Sequence, residues 1–313
     1  MLDSLFFSLS ITGPIFIVMA LGAWLNKIGQ IDDHFVDVGS RLVFNITLPA
    51  LLFINVANTP LHSAANIPML TIGVLGTFLF YLILEQAASR WINNSRDRGI
   101  VVQGGFRANM GIIGLAYCFN AYGNEGLAVA SIFLGIVTIV YNILSVITLS
   151  RSLEGGFNVH STLRGISRNP IILSVLAASP LAWFDIGLPN WVEQTGGYFA
   201  QMTLPLALLC TGASLPFGSL RSNMRGAILA SSFKLFFVPL GLTSAGIWFG
   251  LQGIELGVLA MMTAGPTAAA SYVMVRAMGG DAKLAATIIA MTTAGSIITN
   301  SLLIGILHHG GWL

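Results

Sequence analysis

Prolines recur in this chain at a fixed distance: Pro14 and Pro170 are 156 residues apart, and so are Pro49 and Pro205. With 11 prolines in 313 residues, chance supplies about 0.2 such coincidences at any one offset, so two of them mark a repeat. Other positions keep the spacing: Thr47-Leu48 with Thr203-Leu204, Leu79-Phe80 with Leu235-Phe236, Ala121 and Gly123 with Ala277 and Gly279, and Ile132 with Ile288. The chain reads as two related halves, 1–150 and 170–313, joined by a linker over 151–169.

Only 8% of the residues are charged and 55% are hydrophobic, whereas soluble domains carry about 25% charged residues. Lipid is the solvent that suits such a chain. Apolar runs bounded by charge or by Gly, Pro and Asn fall at about 5–25, 40–57, 67–85, 100–121, 127–149, 170–186, 198–217, 227–250, 254–277 and 284–307. Several approach the roughly 20 residues that cross a bilayer core. The first has no basic region ahead of it, which reads as a span rather than a cleaved signal. The charges agree with ten spans. Lys27 and Arg41 flank loop 1–2; Arg90, Arg96 and Arg98 fill loop 3–4; Arg151, Arg164 and Arg168 fill loop 5–6; Arg221 and Arg225 fill loop 7–8; Arg276 and Lys283 flank loop 9–10. Those are 12 of the 14 basic residues, and the alternate loops near 58–66, 122–126, 187–197 and 251–254 hold none. Cytoplasmic loops collect Lys and Arg, so both termini are expected on the non-cytoplasmic side of a multi-pass inner-membrane protein.

Five spans per half is an odd number, so the second half must enter the membrane from the opposite face. The expected fold class is an all-α integral membrane protein with ten transmembrane helices in a 5+5 inverted repeat. Secondary transporters use that arrangement to expose one site to each side in turn. A net charge of +2 gives no reason to expect nucleic acid; the partners expected are membrane lipid and a small solute, and pairing as a homodimer is left open. Cys118 and Cys210 lie in apolar runs and read as free thiols, with no metal and no cofactor implied. The five histidines fall in loops or at the C-terminus. No Ser/His, Asp/Asp or His/Glu metal spacing within the spans points to an enzyme.

Span four carries Gln103-Gly-Gly-Phe-Arg107-Ala-Asn109-Met-Gly111-Ile-Ile-Gly114, and span nine carries Thr263-Ala-Gly265-Pro266-Thr267-Ala-Ala-Ala-Ser271-Tyr272. Gly costs about 1 kcal/mol relative to Ala within a helix, and polar side chains in hydrocarbon are expensive unless they face protein or water. At the 156-residue spacing Asn109 falls opposite Gly265, and Met110 opposite Pro266. Pro266 removes a backbone donor and crowds the preceding turn. Opened backbone at that depth survives only where it is buried in protein or lines a cavity. Helices four and nine are therefore expected to be discontinuous and to cross, aiming half-helix N-termini at a common point that favours an anion. Close packing of small residues, with a mere bend at Pro266, is the plainer alternative. Pro49, Pro205 and Gly265 read as further breaks or hinges.

Arg107 and Lys234 are the two basic residues left once the loops are filled. Each either attracts an anion or snorkels to the cytoplasmic surface. No Asp or Glu lies deep in a span, Glu85 and Glu255 being at ends, which disfavours proton or sodium exchange as the main activity. Asn45, Thr47, Asn55, Tyr141, Asn142, Thr211, Thr292, Thr293 and Asn300 are the remaining polar candidates within spans.

Three segments look familiar: Leu48-Pro-Ala-Leu-Leu-Phe53, Phe106-Arg-Ala-Asn-Met-Gly-Ile-Ile-Gly-Leu115, and Pro266-Thr-Ala-Ala-Ala-Ser-Tyr-Val273 followed by Gly279-Gly-Asp-Ala-Lys-Leu-Ala285. Together they resemble the auxin efflux carrier family of transporters, bacterial branch, over essentially the whole chain. The resemblance implies a fold like that of sodium/proton antiporters and bile-acid symporters. A scaffold domain would come from spans 1, 2, 6 and 7, and a transport domain from spans 3–5 and 8–10. It implies transport of organic anions, auxin in plants and dicarboxylates such as malate or malonate in bacteria, by elevator-like sliding. On that pattern Asn109 and the backbone after it match the crossover anion contact of span four, Pro266 with Thr267 its partner in span nine, and Asn142 a further contact. Where the family has proline after the Gly-Leu of span four, this chain has Ala116, leaving the break to rely on Gly111 and Gly114.

The expectation is a secondary transporter of small carboxylates. Asn109 and the N–H groups near Gly111, Gly114 and Pro266 would hold the carboxylate, Thr267, Ser271 and Asn142 would add hydrogen bonds, and Arg107 would supply field. The alternatives are a sodium- or proton-coupled carrier of neutral or steroid-like solutes on the same fold, and a membrane sensor that does not transport.

Overall fold

The computed structural model describes residues 2–58, 66–153, 169–214 and 224–313. Arg164, Arg168, Arg221 and most of the linker expected at 151–169 lie outside the described residues. Within them the secondary structure is helical apart from one isolated antiparallel bridge. The α-helices are α1 (Leu2–Lys27), α2 (Asp33–Leu42), α3 (Leu48–Ala57), α4 (Ile67–Trp91), α5 (Ser95–Phe106), α6 (Leu115–Leu153), α7 (Pro170–Trp183), α8 (Asn190–Ala213), α9 (Met224–Ser232), α10 (Val238–Trp248), α11 (Gly253–Ala264), α12 (Ala270–Ala277) and α13 (Ala282–His309). Three π-helical turns accompany them: Val43–Thr47 joins α2 to α3, Met110–Gly114 leads into α6, and Phe233–Phe237 joins α9 to α10.

Among the described residues six stretches are long and apolar enough to cross a membrane: Phe6–Lys27, Asp33–Ala57, Ile67–Trp91, Met110–Leu153, Met224–Trp248 and Ala282–His309. That is fewer than the ten runs expected, for identifiable reasons. The fourth run is divided between α5 and the stretch from Met110, whose second part is the fifth run. In that stretch Gly123, at φ 61° and ψ −142°, turns the chain; that left-handed backbone suits Gly, which lacks a Cβ. The ninth run is divided between α11 and α12. Pro170–Trp183 is apolar but short, and α8 begins with the polar sequence Asn190-Trp-Val-Glu193-Gln194.

Helix starts follow side-chain caps. Asp32, Asn66, Asn94, Asn169 and Asp281 accept hydrogen bonds from backbone N–H groups at the starts of α2, α4, α5, α7 and α13, satisfying donors that have no partner inside the helix. The Asp32 cap starts α2 seven residues before the expected position 40, and His34 is consequently in a helix rather than a loop.

The prolines expected to act as hinges do not interrupt their helices. Pro205 lies inside α8, as Pro14 lies inside α1. Pro49 follows the first π turn by two residues, and Pro239 follows the third by two. In each case the N–H just before the proline reaches back five residues, Leu48 to the Val43 carbonyl and Val238 to that of Phe233. The wider turn accommodates a ring that would clash in an ordinary one.

The ends of the helices are tied in two groups. Arg96 donates to the Gly279 carbonyl at 3.2 Å, joining the basic loop after α4 to the basic loop before α13. At the other end Asn58 donates to Glu193 at 3.1 Å, the Gly253 N–H donates to the Trp312 carbonyl at 2.9 Å, and Phe7 stacks on His308 with ring centroids 4.1 Å apart. The 25-residue α4 runs between these groups, a length of about 37 Å. Laterally, α1 packs along α8, and α3 packs against α7 and α8. α5 packs against α4, α6 and α9, and α11 against α6 and α10.

Candidate functional site

The two interrupted helices meet at their interruptions. α11 stops at Ala264; Gly265 is extended at φ −51° and ψ 148°, the conformation a residue before proline prefers, and α12 starts only at Ala270. α5 stops at Phe106 without a proline, and Arg107 is extended at φ −79° and ψ 101°. The exposed backbone of each break supplies the partners of the other. The Asn109 N–H donates to the Pro266 carbonyl at 2.7 Å, the Ala268 N–H donates to the Arg107 carbonyl at 3.0 Å, and Ala108 and Thr267 form the antiparallel bridge between them. Buried backbone groups that have left a helix are thereby satisfied.

The register of this pairing is informative. Residues 107, 108 and 109 pair with 268, 267 and 266, at separations of 161, 159 and 157. Continued by one step, Met110 would oppose Gly265 at 155. The repeat spacing of 156 therefore falls at the centre of the crossing, between Asn109–Pro266 and Met110–Gly265.

Arg107 is 8% exposed and does not snorkel. Its guanidinium donates to Asn142 Oδ1 at 2.9 Å, to Ser145 Oγ at 3.0 Å and to Met274 Sδ at 3.0 Å. Among the described residues all of its partners are neutral. Asn142 is thus a ligand of Arg107, and Ser145 and Met274 are further partners of Arg107 that sequence reasoning missed; the clue available was that Met274 lies one helical turn beyond Ser271. The Ser271 hydroxyl and the Gln103 side-chain amide oxygen, Oε1, are buried with no hydrogen-bond partner among the described residues. Asn109 is 6% exposed, and its side-chain amide makes no hydrogen bond among the described residues. Its carbonyl accepts from the Ile113 and Gly114 N–H groups, while those of Met110, Gly111 and Ile112, at the head of the restarted helix, have no acceptor within it.

Other expected site residues serve the frame. Thr267 donates through Oγ1 to the Gly104 carbonyl at 2.6 Å and through its N–H to Thr292 Oγ1 at 3.1 Å. Both groups are occupied, so Thr267 braces the crossing instead of offering its hydroxyl to a guest. Thr267→Val, which keeps the shape and strands the Gly104 carbonyl, should cost about 1–3 kcal/mol of stability with carboxylate affinity retained, as read by thermal melts with and without ligand. Gly111 lies against Leu48 of α3, and Gly114 against Met262 of α11. Lys234, fully buried, donates to the Thr263 carbonyl at 2.7 Å, which overturns snorkelling for it as well.

A cavity of about 1010 Å³ opens between α1, α3 and α8 on one side and α6 on the other. It is lined by Pro14, Asn55, Asn120, Glu125, Glu193 and Pro205 among others, and no described lysine or arginine lines it. From the restarted helix it reaches Ala116 but not Asn109, a gap of seven residues, about 10 Å of helix. The expected anion pocket and the cavity are therefore separate.

Comparison with known proteins finds relatives along most of the chain. A model of the family described as membrane transport protein matches residues 11–158 and 157–304. An uncharacterized transporter of Methanothermobacter thermautotrophicus is 23% identical over 288 residues, covering 91% of this chain and 93% of the relative. One from Methanocaldococcus jannaschii is 23% identical over 298 residues, 92% and 95% of the two chains. The uncharacterized transporter YfdV of Escherichia coli K12 is 22% identical over 295 residues, 91% and 93%. With both halves matched, this chain belongs to the membrane transport protein family, the auxin efflux carrier family that its motifs resemble.

Proposed function

We propose that this protein is a secondary transporter of small organic carboxylates, such as malate, malonate or auxin-like acids, which bind at the crossing of the interrupted helices. One observation carries the reading: Arg107 is a buried cation beside that crossing whose partners among the described residues are all neutral. An uncompensated charge in low dielectric is costly, and a carboxylate supplies the missing countercharge. The unpartnered Asn109 amide, the Ser271 hydroxyl and the free N–H groups at the head of the restarted helix add hydrogen-bond donors.

Transport on this reading is an elevator movement of one domain against another, within ten transmembrane helices arranged as a 5+5 inverted repeat. α1, α2–α3, α7 and α8 form the scaffold and the remaining helices the moving domain. The mutual packing of α1, α3, α7 and α8 and the repeat spacing at the centre of the crossing support it. The basic loops tied by Arg96 and Gly279 would be cytoplasmic, with the cavity opening to the opposite side as a vestibule. A second reading, a coupled carrier of neutral or steroid-like solutes, is favoured by the size of that cavity and by the carboxylates of Glu125 and Glu193 on its wall.

Thermal melts of the purified protein against mono- and dicarboxylates, with and without sodium, separate the two. At least one carboxylate should stabilise the protein, by about 2.7 kcal/mol at a hundred times its Kd, and proteoliposomes should accumulate it. Asn109→Ala should weaken that binding about tenfold, the loss of one hydrogen bond to a charged group. Stabilisation by steroid-like solutes alone, or undiminished carboxylate binding by Asn109→Ala, would count against the assignment.

A further inference from the structure

The two half-helix ends that point into the crossing are closed in different ways. α5 ends with neutral partners: the Gln103 carbonyl accepts from the Arg107 N–H and the Gly104 carbonyl from the Thr267 hydroxyl. α11 ends at Ala264, and its Thr263 carbonyl accepts instead from the Lys234 ammonium at 2.7 Å. Lys234 comes from the π turn Phe233–Phe237, which packs against α5 and α13, and the lysine itself is fully buried. At the 156-residue spacing the position equivalent to Lys234 is Phe78, so among the described residues the α11 end receives a cationic side chain and the α5 end does not.

The last carbonyls of a helix lack intrahelical donors and bear about half a negative charge between them. In carriers built on broken helices, such C-terminal ends and their unwound carbonyls are where a coupling sodium ion is coordinated. We propose that the Lys234 ammonium is a tethered cation that takes that position at the end of α11, so that carboxylate binding by this protein requires no sodium. Lys234 is a positioning residue: it compensates the α11 end and holds the break open for Asn109 and Arg107 without touching the carboxylate. The consequence for carboxylate uptake rests on the function proposed above, but the occupancy of the α11 end does not.

Melting temperatures of the full-length protein without carboxylate, in sodium chloride against choline chloride of equal ionic strength, give the first test. The wild type should melt at the same temperature in both, and stabilisation by sodium would overturn the proposal by revealing a separate cation site. Lys234→Ala should melt about 5–10 °C lower in choline and recover at least half of the loss in methylammonium chloride or sodium chloride, whose cations fit the vacated space. Lys234→Met, which fills that space without charge, should be lowered and should not respond to either cation. A Lys234→Met protein as stable as wild type, or a Lys234→Ala protein indifferent to small cations, would also overturn it. If neither variant folds, the wild-type comparison still decides the sodium question.

Discussion

Gly212→Val is expected to abolish the folded protein, seen as loss of the monodisperse peak in detergent and of a cooperative melt. α1 and α8 touch backbone to backbone. A Cβ at Gly212 would lie 1.9 Å from the Met19 carbonyl oxygen, and one at Gly22 would lie 2.1 Å from that of Leu209. The obstacle in both cases is main chain, which cannot rotate away as a side chain can. Helix contact in lipid depends on small residues that let backbones approach. Forcing in a branched side chain must separate α1 from α8, at a cost of about 3 kcal/mol or more, a large part of the total stability of a typical protein. Gly13 of α1 is the control: a Cβ there meets nothing within 4 Å, and Gly13→Ala should leave the melt unchanged or slightly raised. A Gly212→Val protein melting within a few degrees of wild type would disprove the close contact.

Arg107→Met is expected to remove carboxylate binding while leaving the unliganded protein as stable as wild type or more so. The two effects have one cause. In the empty protein the guanidinium is a buried charge with neutral partners, and replacing a buried charge by an apolar side chain of similar length is often neutral or favourable. Removing the cation from a bound carboxylate instead costs the charge-assisted pair. At 2–5 kcal/mol that is a loss of at least about 30-fold in affinity. Melts with and without the stabilising acid, supported by uptake into proteoliposomes, report both quantities. Unchanged affinity would exclude Arg107 from the site, and a collapse of the unliganded protein would make it a structural residue. Arg107→Lys should retain only part of the binding, because an ammonium cannot reproduce the planar fork that reaches Asn142 and Ser145.

Much of the site is legible in residue chemistry, though not the roles within it. Pro266 announces its break by itself, since a missing N–H and a ring clash act wherever the residue stands. Asn109 and Arg107 stand out because polar groups in an apolar run need a reason. Thr267 reads as a substrate contact, and nothing in its neighbours shows that its hydroxyl is taken by Gly104, 163 residues away. Pro49 and Pro205 read as hinges. Whether a proline breaks a helix depends on whether neighbouring turns can widen around it, as Val43–Thr47 does before Pro49.

Sequence alone determined the features that local and periodic chemistry dictates: a lipid-suited chain, a repeat at 156 residues, basic residues gathered in alternate loops, and an opening of the ninth apolar run at Pro266. Tertiary structure decided where the partner break falls. No proline stands between Phe106 and Asn109, and α5 ends there because the Pro266 carbonyl and the Ala268 N–H lie opposite to replace the helical hydrogen bonds. It also decided that Lys234 is buried rather than directed to the surface, through a carbonyl 29 residues on that only packing brings within 2.7 Å. Pairings between distant segments depend on which surfaces meet, and no window of neighbouring residues encodes that.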